Sequence, residues 1–212
     1  MNNEISSPYG ICCSGPVIDS SICFDYRKQT QHKFHGILPH WHQEGVLQFV
    51  TLRLADSLPQ QKLLELQEIR TQWMAKYPLP WDESTRKSFE DVIGERYQSF
   101  LDANYGKCVL KQRECWQIVV EALRFFDAKR YYLYDYVVMP NHVHFVAYVH
   151  GDSILDVIGQ IKRYSARKIN TMLGLNGRLW QRECFDRIIR SAEDYERISD
   201  YIRQNFNTLR RL

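Results

Sequence analysis

The residues with the most chemical reach in this chain are His142 and His144, separated by Val143, and Tyr201 with Asn205. Successive side chains of a strand point to opposite faces, so two histidines two apart project from one side, about one ligand-to-ligand distance from each other. On a helix, residues four apart stack on one face, so the phenol at 201 and the amide at 205 can reach a common point. An amide oxygen suits Mg²⁺ or Mn²⁺, and His142, His144 and Asn205 around such an ion would leave positions open to a phosphate oxygen. A metal-held phosphate beside a tyrosine hydroxyl is a layout for phosphoryl transfer through a covalent phosphotyrosine. On spacing alone a plainer reading stands beside it: two half-exposed strand histidines and a tyrosine at the edge of an apolar stripe.

Two other groups compete for roles. Tyr164 lies in a basic stretch that could hold a phosphate, but its i+4 neighbour is Lys168, a cation that would repel a metal. His40-Trp41-His42 repeats the His-x-His spacing ahead of the first strand and reads as a packing or turn element, outside the site. Lys162, Arg163, Arg167 and Lys168 share the polar side of one helix, with Arg182 and Arg187 following. They are candidate DNA phosphate contacts, against the alternative of a solvated helix face.

The elements that must position these residues are legible as periodic runs. Leu47–Leu54 reads as a strand, as do Tyr131–Val138 and His142–Val149, the last two joined by Met139-Pro140-Asn141 as antiparallel neighbours. Leu63, Leu66, Ile69, Trp73 and Tyr77 recur at helical spacing, and so do Phe89, Val92, Ile93, Tyr97, Phe100 and Leu101 beyond Pro78 and Pro80. A helix over about 113–127 precedes the strand pair. Ser153 and Asp156 open another that keeps phase until Gly174, and Ser191 with Asp194 opens the last, which buries Tyr195, Ile198, Ile202 and Phe206. Residues 1–34 carry no sustained period and read as a loosely ordered arm.

Composition bounds the rest. The chain has 212 residues, 44% hydrophobic and 25% charged, which fits one domain with its own core. No apolar run approaches the ~18 residues of a membrane span. The N-terminus has neither the basic start nor the apolar run of a secretory signal, so a cytoplasmic location is expected, with the six cysteines reduced and acting as small apolar residues. The net charge of +3 gathers late: residues 151–212 hold twelve Lys or Arg against eight Asp or Glu.

Four segments together resemble the REP-associated tyrosine transposases, within the single-tyrosine transposases named HUH for His, hydrophobic, His. They are HWHQEGVLQFVTLRLADSLP, RYYLYDYVVMPNHVHFVAYV, IKRYSARKIN and GRLWQRECFDRIIRSAEDYERISDYIRQNF. They cover His40–Pro59 and most of Cys108–Phe206. The resemblance implies an α+β fold, a ferredoxin-like antiparallel sheet with helices packed on one face, over residues 35–212 with a helical insertion at about 60–104. It implies metal-dependent cleavage of single-stranded DNA beside hairpins of repetitive extragenic palindromes, with Mg²⁺ or Mn²⁺ as cofactor. By position, His142 and His144 match its metal pair, Tyr201 its nucleophile and Asn205 the ligand one turn on. Phe206 stands where the family commonly continues into Pro. A rolling-circle replication initiator shares the His-before-Tyr order, and a non-catalytic hairpin-binding protein would keep the basic helix alone. A small-substrate metallohydrolase lacks a carboxylate next to the His pair. The partner expected is single-stranded or hairpin DNA, not a membrane, and the chain as monomer or homodimer stays open.

Overall fold

The fold is that of a computed structural model, which describes residues 7–12, 15–28, 30–34, 39–101, 105–149, 151 and 153–211. Residues 1–6 of the arm, Cys13, and the side chains of His42, Tyr97 and Leu101 lie outside what is described. In chain order the strands are β1 (Tyr9–Ile11), β2 (Gln31–Phe34), β3 (Pro39–His42), β4 (Val46–Arg53), β5 (Tyr131–Val138), β6 (His142–Val149) and β7 (Phe185–Ile188). The helices are α1 (Gln60–Lys76), α2 (Glu83–Leu101), α3 (Arg113–Arg124), α4 (Ile154–Leu173) and α5 (Ala192–Leu209).

Five strands form an antiparallel sheet in the order β1-β5-β6-β4-β7, and β2 and β3 pair separately. The β5–β6 hairpin turns through Met139-Pro140-Asn141, closed by Met139 N–H donating to the His142 carbonyl at 2.8 Å. β4 and β6 are in register with Arg53 opposite His142 and Thr51 opposite His144, so those four side chains share one face.

That face and its reverse are both covered. Val143, Phe145, Ala147 and Val149 pack with Val119, Leu123, Ile158 and Ile161 of α3 and α4. On the His side, Phe49, Val137 and Val146 pack with Phe89 and Ile93 of α2 and Ile198 and Ile202 of α5. The α+β antiparallel sheet is as the resemblance implies, and α3 with α4 supply the helices of one face. α1, α2 and α5 lie over the other. Burial on both sides explains why β4 to β6 read as near-continuous apolar runs rather than alternating ones.

Part of the expected arm is built into the fold. β1 adds to the free edge of β5, and Ile22 and Cys23 are buried, with the Ile22 carbonyl accepting from Leu47 N–H at 2.7 Å. Three residues of Tyr-Gly-Ile are too few to show a period, and β7, Phe-Asp-Arg-Ile, is hidden by its charges. In both cases a sheet edge supplies the partner that local pattern does not.

Candidate metal-tyrosine site

The site forms where β6 passes under α5. His142 and His144 are fully buried, not half-exposed, because Phe49 stacks on His144 with ring centroids 5.4 Å apart and Tyr201 closes over it at 5.2 Å. The two imidazole centroids lie 4.5 Å apart. Burial pushes the His142 imidazole down to about 3, helped by the neighbouring Arg53 charge, and burial with His142 beside it holds His144 well below its ordinary value. Both rings are therefore neutral at neutral pH.

Their nitrogens are held differently. His144 Nδ1 lies 2.9 Å from Thr51 Oγ1, and its Nε2 lies 3.3 Å from the Tyr201 hydroxyl. His142 Nδ1 lies 2.7 Å from Asn141 Oδ1, whose own amide nitrogen donates to the Tyr105 carbonyl at 3.1 Å. His142 Nε2 is sealed from solvent with no hydrogen-bond partner among the described residues. A buried ring nitrogen left bare is costly unless something is meant to bind it. Two neutral imidazoles, oriented through their other nitrogens, fit a divalent cation, and the Asn205 amide is of the right type to join them.

Asn205 is buried on α5, and its amide nitrogen donates back to the Tyr201 carbonyl at 3.0 Å. Among the described residues, no hydrogen bond joins it to either histidine. Tyr164, the rival tyrosine, is on the opposite side of the sheet, where its hydroxyl donates to Glu121 Oε1 at 2.6 Å.

The basic residues divide between the two faces. Arg163 and Arg167 are exposed on α4, away from Tyr201, and Arg182 is exposed beyond it. Lys162 is half-buried, with Nζ donating to the carbonyls of Gln181, Arg182 and Glu183 at 3.0 to 3.3 Å, so it braces a loop instead of facing solvent. Lys168 pairs with Glu121 at 3.1 Å. Arg187 is on the Tyr201 side, paired with Asp194 and, at 3.6 Å, with Asp91. It lines a cleft of about 720 Å³ between α2, β7 and α5, with Phe49, Gly94, Phe185 and Tyr201. Arg190 ties α2 to this side through Glu83 and Glu90 at 3.0 and 2.9 Å.

Thr51 and Phe49 carry no signal in sequence, because their roles depend on strand register. Only Asn141, next to His142 in the turn, carries a local signal.

The family described as "Transposase IS200 like" matches residues 93–205, a span holding both histidines, Tyr201 and Asn205. The solved "Structure of the REP associates tyrosine transposase bound to a REP hairpin" is similar over 77% of this chain and 67% of that chain, at 17% identity and a TM-score of 0.40. No curated protein matches the chain. Among the described residues, no helix is long and apolar enough to cross a membrane.

Proposed function

The chain belongs to the IS200-like transposase family, and from that premise we propose that it is a cytoplasmic, divalent-metal-dependent nuclease and strand transferase of single-stranded DNA. In this reading it is of the REP-associated kind, acts beside DNA hairpins, and uses residues 35–212 as one catalytic unit. The observation that carries the proposal is the 3.3 Å approach of the Tyr201 hydroxyl to His144 Nε2, inside a buried pair of neutral imidazoles.

Mg²⁺ or Mn²⁺ would be held by His142 and His144, with the Asn205 amide oxygen as further ligand. When bound, it supplies the positive charge that polarises the scissile phosphate. Thr51 and Asn141 fix the two rings, and Phe49 with α5 excludes water around them. The Tyr201 hydroxyl oxygen attacks phosphorus and gives up its proton, the bond to the 3′ oxygen breaks, and the 5′ phosphate stays on the tyrosine while the 3′ oxygen takes up a proton and leaves as a hydroxyl. Attack by another 3′ hydroxyl reverses the exchange and joins the strands. Arg163, Arg167 and Arg182 are the exposed candidates for phosphate contacts. Lys162, Lys168 and Arg187 would contribute charge, but each already holds a partner.

The test is a denaturing gel with hairpin-flanked single-stranded DNA and Mn²⁺. Wild type and Tyr164→Phe are expected to give a covalent protein–DNA band, and Tyr201→Phe to bind DNA without forming it. A band from Tyr201→Phe would reassign the nucleophile, and wild-type binding with no band would leave a non-catalytic hairpin-binding protein.

A further inference from the structure

β7 has a second face. Phe185 lies opposite Thr51 on β4, so Phe185 and Arg187 point to the Tyr201 side and Cys184 and Asp186 point to the reverse, toward α4. There β3 delivers His40. Its Nδ1 is hydrogen-bonded to Asp186 Oδ1, and Cys184 Sγ lies 3.7 Å from the same oxygen. One nitrogen, one sulfur and one oxygen thus lie within 4.8 Å of one another, all in buried residues. The second carboxylate oxygen, Asp186 Oδ2, is sealed from solvent and has no hydrogen-bond partner among the described residues.

A buried carboxylate oxygen without a donor is an expense that folded proteins rarely carry. A cation in reach of all three side chains removes it. We infer that His40, Cys184 and Asp186 form a second metal site, of the Zn²⁺ class, separate from the His142–His144 pair and on the other face of the sheet.

The donor set decides the class. A thiolate, an imidazole and a carboxylate are each ordinary zinc ligands, three from the protein leave one tetrahedral position to water, and sulfur disfavours Mg²⁺. On binding, Cys184 gives up its thiol proton to solvent and His40 coordinates as the neutral imidazole, with no change of oxidation state. Thiolate and carboxylate together balance the dication. Nearby, the Lys162 ammonium is held by three backbone carbonyls, and Glu183 and Arg53 add one charge of each sign.

The consequence is mechanical. His40 and Asp186 are 146 residues apart in the chain, and an ion between them would staple the β2–β3 hairpin to β7. β7 runs directly into α5, so the staple would steady the strand that places Phe185 and Arg187 under Tyr201. The zinc site would stand whether or not Tyr201 cuts DNA.

Co²⁺ is the probe, added without DNA to the full, metal-stripped, reduced chain and followed by absorption. Wild type is expected to develop a thiolate-to-cobalt charge-transfer band and tetrahedral visible bands that are bleached by Zn²⁺. The His142→Ala, His144→Ala double variant, once its fold is verified by circular dichroism, should keep them and Cys184→Ser should lose them. Asp186→Asn, nearly isosteric and able to keep its contact with His40, guards against misfolding of the serine variant. Its half-saturating Co²⁺ should rise by at least about tenfold. Absence of the charge-transfer band in wild type, its survival in Cys184→Ser, or unchanged affinity in Asp186→Asn would overturn the site.

Discussion

Thr51 shows how much of this site depends on a residue with no chemistry of its own. Its hydroxyl is the only hydrogen-bond partner of His144 Nδ1 among the described residues, and so it sets which ring nitrogen faces Tyr201. Thr51→Val keeps the shape and removes the bond. The Mn²⁺ concentration for half-maximal cleavage is expected to rise about 10–100-fold, and unfolding by denaturant to become easier by about 1–3 kcal/mol, because the ring nitrogen is left buried and bare. Cleavage with an unchanged Mn²⁺ requirement would remove Thr51 from the site. Burial also changes what alanine does to the histidines. Half-exposed rings could be cut away freely, whereas truncating His142 or His144 opens a cavity between β6 and α5, so their variants need a folding control.

At the scale of elements, the joint between β7 and α5 sets the height of Tyr201 over the sheet. Ser191 caps α5 by accepting from Asp194 N–H at 3.2 Å. The Asp194 carboxylate in turn takes Arg187 and Arg197 on one oxygen and Arg190 N–H, at 3.0 Å, on the other. Burial pushes this carboxyl up, but the Arg187 charge, the Arg190 N–H and the Arg197 charge outweigh it and hold it below its ordinary 3.8. A depressed carboxyl stabilises the fold above its unfolded value and loses that contribution as pH falls through the folded one. Asp194→Asn is therefore expected to cost about 2 kcal/mol near neutrality, with the gap to wild type closing only below 3.8. Denaturant melts of both proteins from about pH 7 to about pH 2 check this; a gap that stays constant with pH would mean that the charge of Asp194 plays no part.

At the scale of the molecule, the sheet separates two surfaces. Tyr201 and the cleft under α2 lie on one, and the exposed Arg163 and Arg167 of α4 on the other. A hairpin held by α4 would have to send its single strand around the sheet to be cut. Binding of hairpin DNA should therefore weaken in the Arg163→Ala, Arg167→Ala variant, with the slope of log affinity against log salt reduced by about 0.9 for each duplex phosphate that the variant no longer neutralises. The covalent adduct at saturating DNA should still form. An unchanged slope would make the face merely solvated and turn attention to Arg182 and the Tyr201 side.

His142 and His144 on one face of a strand, Tyr201 and Asn205 on one face of a helix, and the caps Ser153 and Ser191 were all determined by sequence, because periods of two and 3.6 residues and end-capping act within a few positions. The family was legible for the same reason, since its motifs are short and contiguous. The tertiary structure alone decided that both sheet faces are covered, that Lys162 and Lys168 are already partnered, and that Thr51 orients His144. It also brought His40 to Cys184 and Asp186, at the start of a strand too short and too charged to announce itself. These are contacts across strand registers and between elements up to 146 residues apart. They depend on which sheet edges and helix faces meet, and no local pattern encodes that meeting.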